Sequence, residues 1–295
     1  MKNTAIIIDT SAPFPPELIK KFGFISVDFK IDWDDQDKIP GNALYEKMRT
    51  AKKMGIKTTP KTSQPSIGVF KKAFEDGLNK ASSVIAITIS SGLSGTYNSA
   101  LQAKNMFDEI TQKKIFVIDS YTVDCAEALL VLIAAEMDEK GFSAEEIVKN
   151  IEESKDQAKL FGMIESPFWL EAGGRLSHNL AVLMEQVQKI GLRPVLSVVD
   201  GVVKAANFKM QAKDTAEALF KQLDAATNKI IQKGGKIRVV ITHFDNLTEA
   251  EKLKNLIQKE RPQIKIDFIN IMGPVIACHT GPGTLLVGYA EDKYN

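Results

Sequence analysis

Apolar and polar positions in the first half of the chain alternate between two patterns. Short runs at 4–9, 24–29, 83–89 and 115–118 are rich in β-branched residues and apolar at successive positions, as strands buried on both faces are. Between them lie segments with helical character. One opens at Pro15-Pro16-Glu17-Leu18, one lies near 43–53, and one leads from Thr62-Ser63-Gln64-Pro65 to about 80. Another starts at Tyr97, and a long one covers 124–139. Within it, the apolar run 128–135 is too short for a membrane span and reads as a buried helix with Glu127 and Glu136 at its ends. Strand–helix alternation of this kind predicts a parallel sheet covered by helices on both faces.

A capping box, Ser143-x-x-Glu146, starts the next helix, and the composition turns polar near 155–159. The expected division is an N-terminal α/β domain over 1–157 and a C-terminal α+β domain over 158–295. In the second part, 179–190 reads as a helix. The runs 194–199 and 202–208 read as strands around the hairpin signal Asp200-Gly201. A long helix is expected from about Lys213. The runs 236–242 and 264–271 read as strands flanking a helix capped by Thr248-x-x-Glu251, and 284–290 as a final strand. This order predicts a mixed or antiparallel sheet.

Composition narrows the function classes. The 295 residues are 44% apolar and 25% charged, so the chain is globular. Lys+Arg 38 against Asp+Glu 37 gives no excess charge to attract nucleic acid or an anionic membrane. Cys125 and Cys278 do not make a disulfide framework, and with His178, His243 and His279 they form no metal-ligand motif. The apolar run 5–8 stops at Asp9, too short for an export signal, and a soluble cytoplasmic protein is expected.

Ligands in open α/β sheets bind outside the carboxyl ends of strands. Asp9-Thr10-Ser11, Ser90-Ser91-Gly92-Leu93-Ser94-Gly95-Thr96 and Asp119-Ser120 all fall there. The second of these gathers hydroxyls and glycines before a helix, where free amides favour a negative group. It is equally a capped turn, and it carries neither a P-loop nor a G-x-G-x-x-G pattern. Thr62-Ser63-Gln64-Pro65-Ser66 is a second hydroxyl cluster. Gly173-Gly174-Arg175 sets a cation beside a flexible turn, and His279-Thr280-Gly281-Pro282-Gly283 offers an imidazole beside a rigid one. Each has a purely structural reading: a helix cap, a surface ion pair, a packed histidine. Cys278 and His279, read as neighbours in extended chain, would point apart and do not make a catalytic pair.

Taken in order, Ile8-Asp9-Thr10-Ser11, Thr62-Ser63-Gln64-Pro65, Ser90 to Tyr97, Asp119-Ser120, Gly173-Gly174-Arg175-Leu176-Ser177 and His279 to Gly283 resemble the DegV family of bacterial fatty-acid-binding proteins over nearly the whole chain. The resemblance implies two α/β domains, the first similar to dihydroxyacetone kinases, with an irregular excursion in about 30–80. It implies a long-chain fatty acid whose carboxylate meets Thr62 and Ser94, with Ser63, Gly95, Thr96, Arg175 and His279 near the head group. Candidate tail contacts are Phe161, Met163, Ile164, Phe168, Trp169, Leu170, Leu180, Leu183, Met184, Val187 and Ile190. Some members present the bound acid to a separate ATP-using fatty acid kinase for phospholipid synthesis. The family implies a carrier with no catalytic residues, no metal and no cofactor beyond the bound acid. Two departures stand out. The first strand ends Asp-Thr-Ser where the family usually has Asp-Ser. Lys209-Met210-Gln211 lacks an Arg that the family usually carries and that is implied in kinase docking. The alternatives are a dihydroxyacetone-kinase-like phosphotransfer enzyme, a serine hydrolase using Ser94 and His279, and a binder of another amphiphilic acid.

Overall fold

The computed structural model describes residues 2–191, 194–207 and 214–292. In its first half the elements are β1 (Lys2–Asp9), α1 (Pro16–Phe22), β2 (Ile25–Val27), β3 (Lys30–Asp32), α2 (Leu44–Met54), β4 (Lys61–Ser63), α3 (Ile67–Leu78), β5 (Ala81–Thr88), α4 (Thr96–Lys104), α5 (Glu109–Gln112), β6 (Ile115–Asp119), α6 (Asp124–Glu139) and α7 (Ala144–Ser154). Strands β2-β1-β5-β6 form a parallel sheet. Alternate residues of each strand serve two cores. Ala5 and Ile7 face α3 and α4, whereas Ile6 and Ile8 face α6. This is why the strands read as continuous apolar runs.

The second half contains β7 (Lys159–Met163), α8 (Phe168–Ala172), α9 (His178–Lys189), β8 (Val195–Val199), β9 (Val202–Asn207), α10 (Thr215–Gln232), β10 (Ile237–Phe244), α11 (Leu247–Glu260), β11 (Lys265–Ile271), α12 (Pro274–Thr280) and β12 (Thr284–Glu291). Its sheet has the order β11-β10-β12-β7-β8-β9 and is mixed: β10 and β11 run parallel, and the other pairs are antiparallel. Asp200 and Gly201 turn β8 into β9 with φ of 53° and 76°, the left-handed pair a two-residue hairpin needs. Among the described residues no helix is long and apolar enough to cross a membrane.

Helix α6 joins the two sheets. It packs on β1 and β5 from one side and on β10 and β12 from the other, and residues 128–131 are fully buried. The approach to β12 is close. A Cβ on Gly288 would lie 2.7 Å from the Cys125 carbonyl carbon and 2.8 Å from the Ala126 nitrogen. One core therefore runs from Ile8 and Ile87 through Leu129 to Val240 and Leu286. At the far end of α6, Arg238 of β10 is fully buried and bonded to both Glu136 and Asp267.

Several local expectations need correcting. The excursion expected over about 30–80 is narrower, because α3 packs on β1, β2 and β5 as part of the first layer. What leaves the sheet is the β3–β4 ribbon with α2 between its strands. Strand β7 and helix α12 were not expected; both are short, and Gly162 breaks the apolar run of β7. Cys278 and His279 thus sit on a helix and not in extended chain. The Ser143–Glu146 capping box is present, with the Glu146 amide donating to Ser143 Oγ at 3.2 Å. Thr248 caps nothing, because α11 already begins at Leu247. Residues 208 and 213, given to a strand and a helix by the pattern, lie outside the described residues, as does the stretch 209–211.

Candidate functional site

Loops leave the carboxyl ends of β1, β5 and β6 together, the edge where the strand pattern placed them. The Ser90–Thr96 loop feeds α4, whose first residue, Thr96, is buried with its Oγ1 2.9 Å from Ser94 Oγ. The β3–β4 ribbon carries Thr62 beside this loop. A side chain at Gly95 would overlap Gln64 Oε1, so the glycine is what lets the segment after Thr62 close on the serine loop. Gln64 Nε2 secures the contact by donating to Ser99 Oγ at 3.0 Å. Ser63 pairs with Lys30 in the ribbon and is exposed, away from the cavity. Asp119 braces the same edge by accepting from the Ser91 and Tyr121 amides at 3.1 and 3.0 Å.

The second half supplies the cation and the imidazole. His279 lies in the last turn of α12, and α8 packs against that helix. A side chain at Gly173 would overlap His279 Nδ1, which ties the Gly-Gly-Arg and His-Thr-Gly motifs, more than a hundred residues apart, into one contact. Arg175 then reaches across to the first half, its Nε donating to Leu93 O at 3.3 Å. Among the described residues it has no carboxylate partner in an ion pair or hydrogen bond, and burial pulls its pKa down from the ordinary value. It remains a cation at any physiological pH.

Thr62 Oγ1 and His279 Nε2 are 2.7 Å apart. Burial, then the charge of Arg175, lower the His279 pKa to about 4, so the ring is neutral at pH 7. Its Nδ1 is buried without a partner. An unpaired buried acceptor is more readily tolerated than an unpaired N–H. The favoured tautomer therefore carries its hydrogen on Nε2 and donates it to Thr62 Oγ1. The Thr62 hydroxyl hydrogen is then free to point into the cavity.

These groups share one cavity. Thr62, Ser94, Arg175 and His279 line it at one end. Phe29, Ile89, Leu93 and Val123 from the first half, and Leu170, Val203, Val275 and Ile276 from the second, make its walls. A second cavity lies behind it, walled by apolar groups and by Ser197 and Thr280, whose hydroxyls are taken up by the Leu160 and Ile276 carbonyls. The two share Val123, Leu170, Val203, Ile276 and Thr280, and the inner one continues past Ile164 and Leu196 to Leu160 and Leu286. The arrangement has hydroxyls and an unneutralised cation at one end of an apolar channel. Among the described residues no acidic side chain lines either part. Such an arrangement offers donors and positive charge to an anionic group at one end and apolar surface to a chain behind it. Ser94 and His279 take different hydrogen-bond partners, so no serine–histidine pair is formed.

Most walls were missed in the sequence. Of the candidates between 161 and 190, Ile164 and Leu170 line the channel. Phe161 stacks on Tyr289, Met163 faces the α10–α11 core, and Trp169 belongs to the core around α6. Met184 and Leu180 pack under α9, and Leu183 and Ile190 are exposed. Phe168 and Val187 do not line it either. Phe29, Ile89, Leu93 and Val123 sit in loops beyond strand ends, and Leu170, Val203, Val275 and Ile276 within α8, β9 and α12, where an apolar residue in sequence looks like ordinary core. Of the remaining histidines, His178 pairs with Glu171 and His243 is buried in β10.

A parallel-sheet layer and a mixed-sheet layer, joined over a channel with a polar mouth, define a two-domain α/β binding fold. The chain belongs to the DegV family, whose pattern, described as that of uncharacterised proteins, matches residues 3–292. It is 30% identical to the fatty acid-binding protein of Thermotoga maritima, over 96% of each chain. Its fold matches the crystal structure of a DegV lipid binding protein from Thermotoga maritima with a TM-score of 0.76 and 28% identity, covering 98% of both chains. It matches DegV of Bacillus subtilis, a fatty acid binding protein, with a TM-score of 0.78 and 25% identity, covering 99% of this chain and 100% of that one.

Proposed function

We propose that this chain binds a long-chain fatty acid, with the carboxylate at Thr62 and Ser94 beside Arg175 and His279 and the tail in the channel behind. The observation that carries this reading is the cavity itself, polar and cationic at one end only. A carboxylate cannot be buried without donors. Here the free hydroxyl hydrogen of Thr62, Ser94 and the half-buried Arg175 supply them. The names of the relatives in Thermotoga maritima and Bacillus subtilis support the same ligand class. As the side chains lie, the two cavities hold about 60 and 50 Å³. That is well under the roughly 300 Å³ at which small-molecule sites begin, so a long tail enters by parting Val203, Leu196 and their neighbours.

The finer role is that of a carrier with no catalysis of its own, handing the acid to a separate kinase. What supports it is the position of the head end: Thr62, Ser94 and Arg175 are all partly exposed, so a partner has access to the carboxylate. The test is titration of delipidated protein with saturated acids of increasing length, beside ATP and ester hydrolysis by the protein alone. Each buried CH₂ contributes about 0.8 kcal/mol, so affinity should rise about fourfold per carbon until the channel is full. Affinity indifferent to length, or turnover lost in His279→Ala, would overturn the reading.

A further inference from the structure

Behind the cavity wall, at the start of α6, lies a group of buried carboxyls that the binding site does not use. Asp9 and Glu127 are both fully buried, and Ser11 stands between them, also fully buried. Ser11 Oγ is within hydrogen-bond distance of Asp9 Oδ1 and lies 2.7 Å from Glu127 Oε2. A hydroxyl has one hydrogen and can donate to only one of the two. If both carboxyls were ionised, one of these contacts would set two oxygens together with no hydrogen between them. One carboxyl must therefore carry a proton.

The surroundings say which. Asp9 accepts from two amides, the Ser11 N–H at 2.9 Å on Oδ1 and the Ile89 N–H at 2.8 Å on Oδ2. Those are the donors of a carboxylate. Among the described residues Glu127 receives no amide, and its Oε1 is buried without a partner. We propose that Glu127 is a positioning residue for the ligand cavity: it is held in the fold as the neutral acid, donating to Ser11 Oγ, which in turn donates to Asp9. The relay stands directly behind two cavity walls. Ile89, whose amide Asp9 holds, lines the cavity, and so does Val123, which precedes Asp124 in the first turn of α6.

The charged groups facing Glu127 are all acids: Asp9 from β1, Asp119 from β6 and Asp124 on α6 itself. The α6 side of β10 presents Thr242, whose hydroxyl donates to Asp124 at 2.5 Å, and Arg238 of the same strand is taken up by Glu136 and Asp267 at the other end of the helix. Burial, then the charge of Asp9, raise Glu127 well above its ordinary value. Asp124 is also raised, to about 7, mainly by burial.

The sign of the linkage gives the test. In the unfolded chain Glu127 ionises near its ordinary value, whereas in the fold it stays protonated. The unfolded state then binds fewer protons, and stability falls as pH rises above about 5, by up to tenfold in the folding equilibrium per pH unit. Denaturant unfolding of the wild type and Glu127→Gln is compared from pH 5 to 8, both in an Asp124→Asn background that removes the titration of Asp124. Glutamine keeps a donor for Ser11 and cannot ionise, so the variant should match its parent at pH 5 and exceed it by a factor that grows with pH. Parallel profiles would overturn the proposal. Infrared spectra of wild-type protein with isotope-labelled glutamate give a reading that needs no variant: a protonated carboxyl band at pH 7 is expected, and its absence refutes the relay. The effect on the cavity rests on the fatty acid reading. Glu127→Ala should weaken palmitate binding at least tenfold, with Glu127→Gln restoring most of it. Wild type that binds no acid fails that reading and leaves the proton assignment standing, whereas equal binding by all three removes the positioning role.

Discussion

Replacing Thr62 by Val preserves the shape of the side chain and exchanges its hydroxyl for a methyl. Two losses follow from the geometry. In the empty protein the 2.7 Å contact with His279 disappears, and the ring, already unpartnered at Nδ1, is left buried with no hydrogen bond at all. An orphaned buried donor costs about 1–3 kcal/mol, so the unfolding free energy should drop by that amount. In the complex the carboxylate loses a hydroxyl donor. A hydrogen bond to a charged group contributes about 1.5–3 kcal/mol, which is roughly a ten- to hundredfold rise in Kd. The two effects separate in two assays: denaturant unfolding of delipidated protein for the first, calorimetric titration with palmitate for the second. Thr62→Ser is the control, because it keeps the hydroxyl and loses only a methyl. If the folded Val variant binds palmitate within about twofold of wild type, Thr62 is not a ligand donor. If Ser falls as far as Val, packing and not the hydroxyl is responsible, and the reasoning fails in the same way.

Acid should destabilise the protein through His279. Its folded pKa is about 4 against an ordinary 6.5, so between those values the unfolded state binds a proton that the fold refuses. The His279 contribution to stability is full above about pH 6.5 and is lost as pH falls toward 4, by about 3 kcal/mol in all, and unfolding curves at pH 4.5 and 7 should show a smaller difference in His279→Gln. Arg238→Ala should cost about 3–5 kcal/mol in denaturant unfolding, because it leaves Glu136 and Asp267 without the buried guanidinium that both carboxylates bind. A cost under about 1 kcal/mol would mean that Lys265, 2.9 Å from Asp267 and 3.8 Å from Glu136, compensates both acids by itself.

The sequence was most legible where local chemistry and tertiary role coincide. Residues 5–8 and 84–87 are apolar at every position because both faces of the parallel sheet are covered. Asp200-Gly201 was legible because a two-residue hairpin demands left-handed backbone at both positions. The four residues lining the mouth of the cavity were placed by family resemblance and not by pattern; periodicity alone left each with a bland reading. What stayed hidden was long-range. Gly95 and Gly173 look like turn glycines, yet their work is to admit Gln64 and His279 from distant segments. Glu127 reads as the polar end of an apolar helix, since its position in the chain says nothing of Ser11 and Asp9 folding over it. Helix α12 was hidden because seven residues hold too little periodicity to outweigh the Gly-Pro-Gly that follows.

Helix α6 has a consequence for how the molecule comes apart. Its side chains complete the cores of both sheets, so neither sheet keeps its inner face covered once the helix leaves. The two halves therefore have no separate melting points: calorimetry should record one transition whose van't Hoff and calorimetric enthalpies agree. Backbone amides in the middle of α6 should be among the slowest in the chain to exchange with deuterium, since their exposure requires global opening. The β3–β4 ribbon, which carries Thr62 but contributes no strand to either sheet, should exchange far earlier. Opening short of global unfolding is thus expected first on the ribbon side of the cavity, while the helix behind it stays shut for the lifetime of the native state.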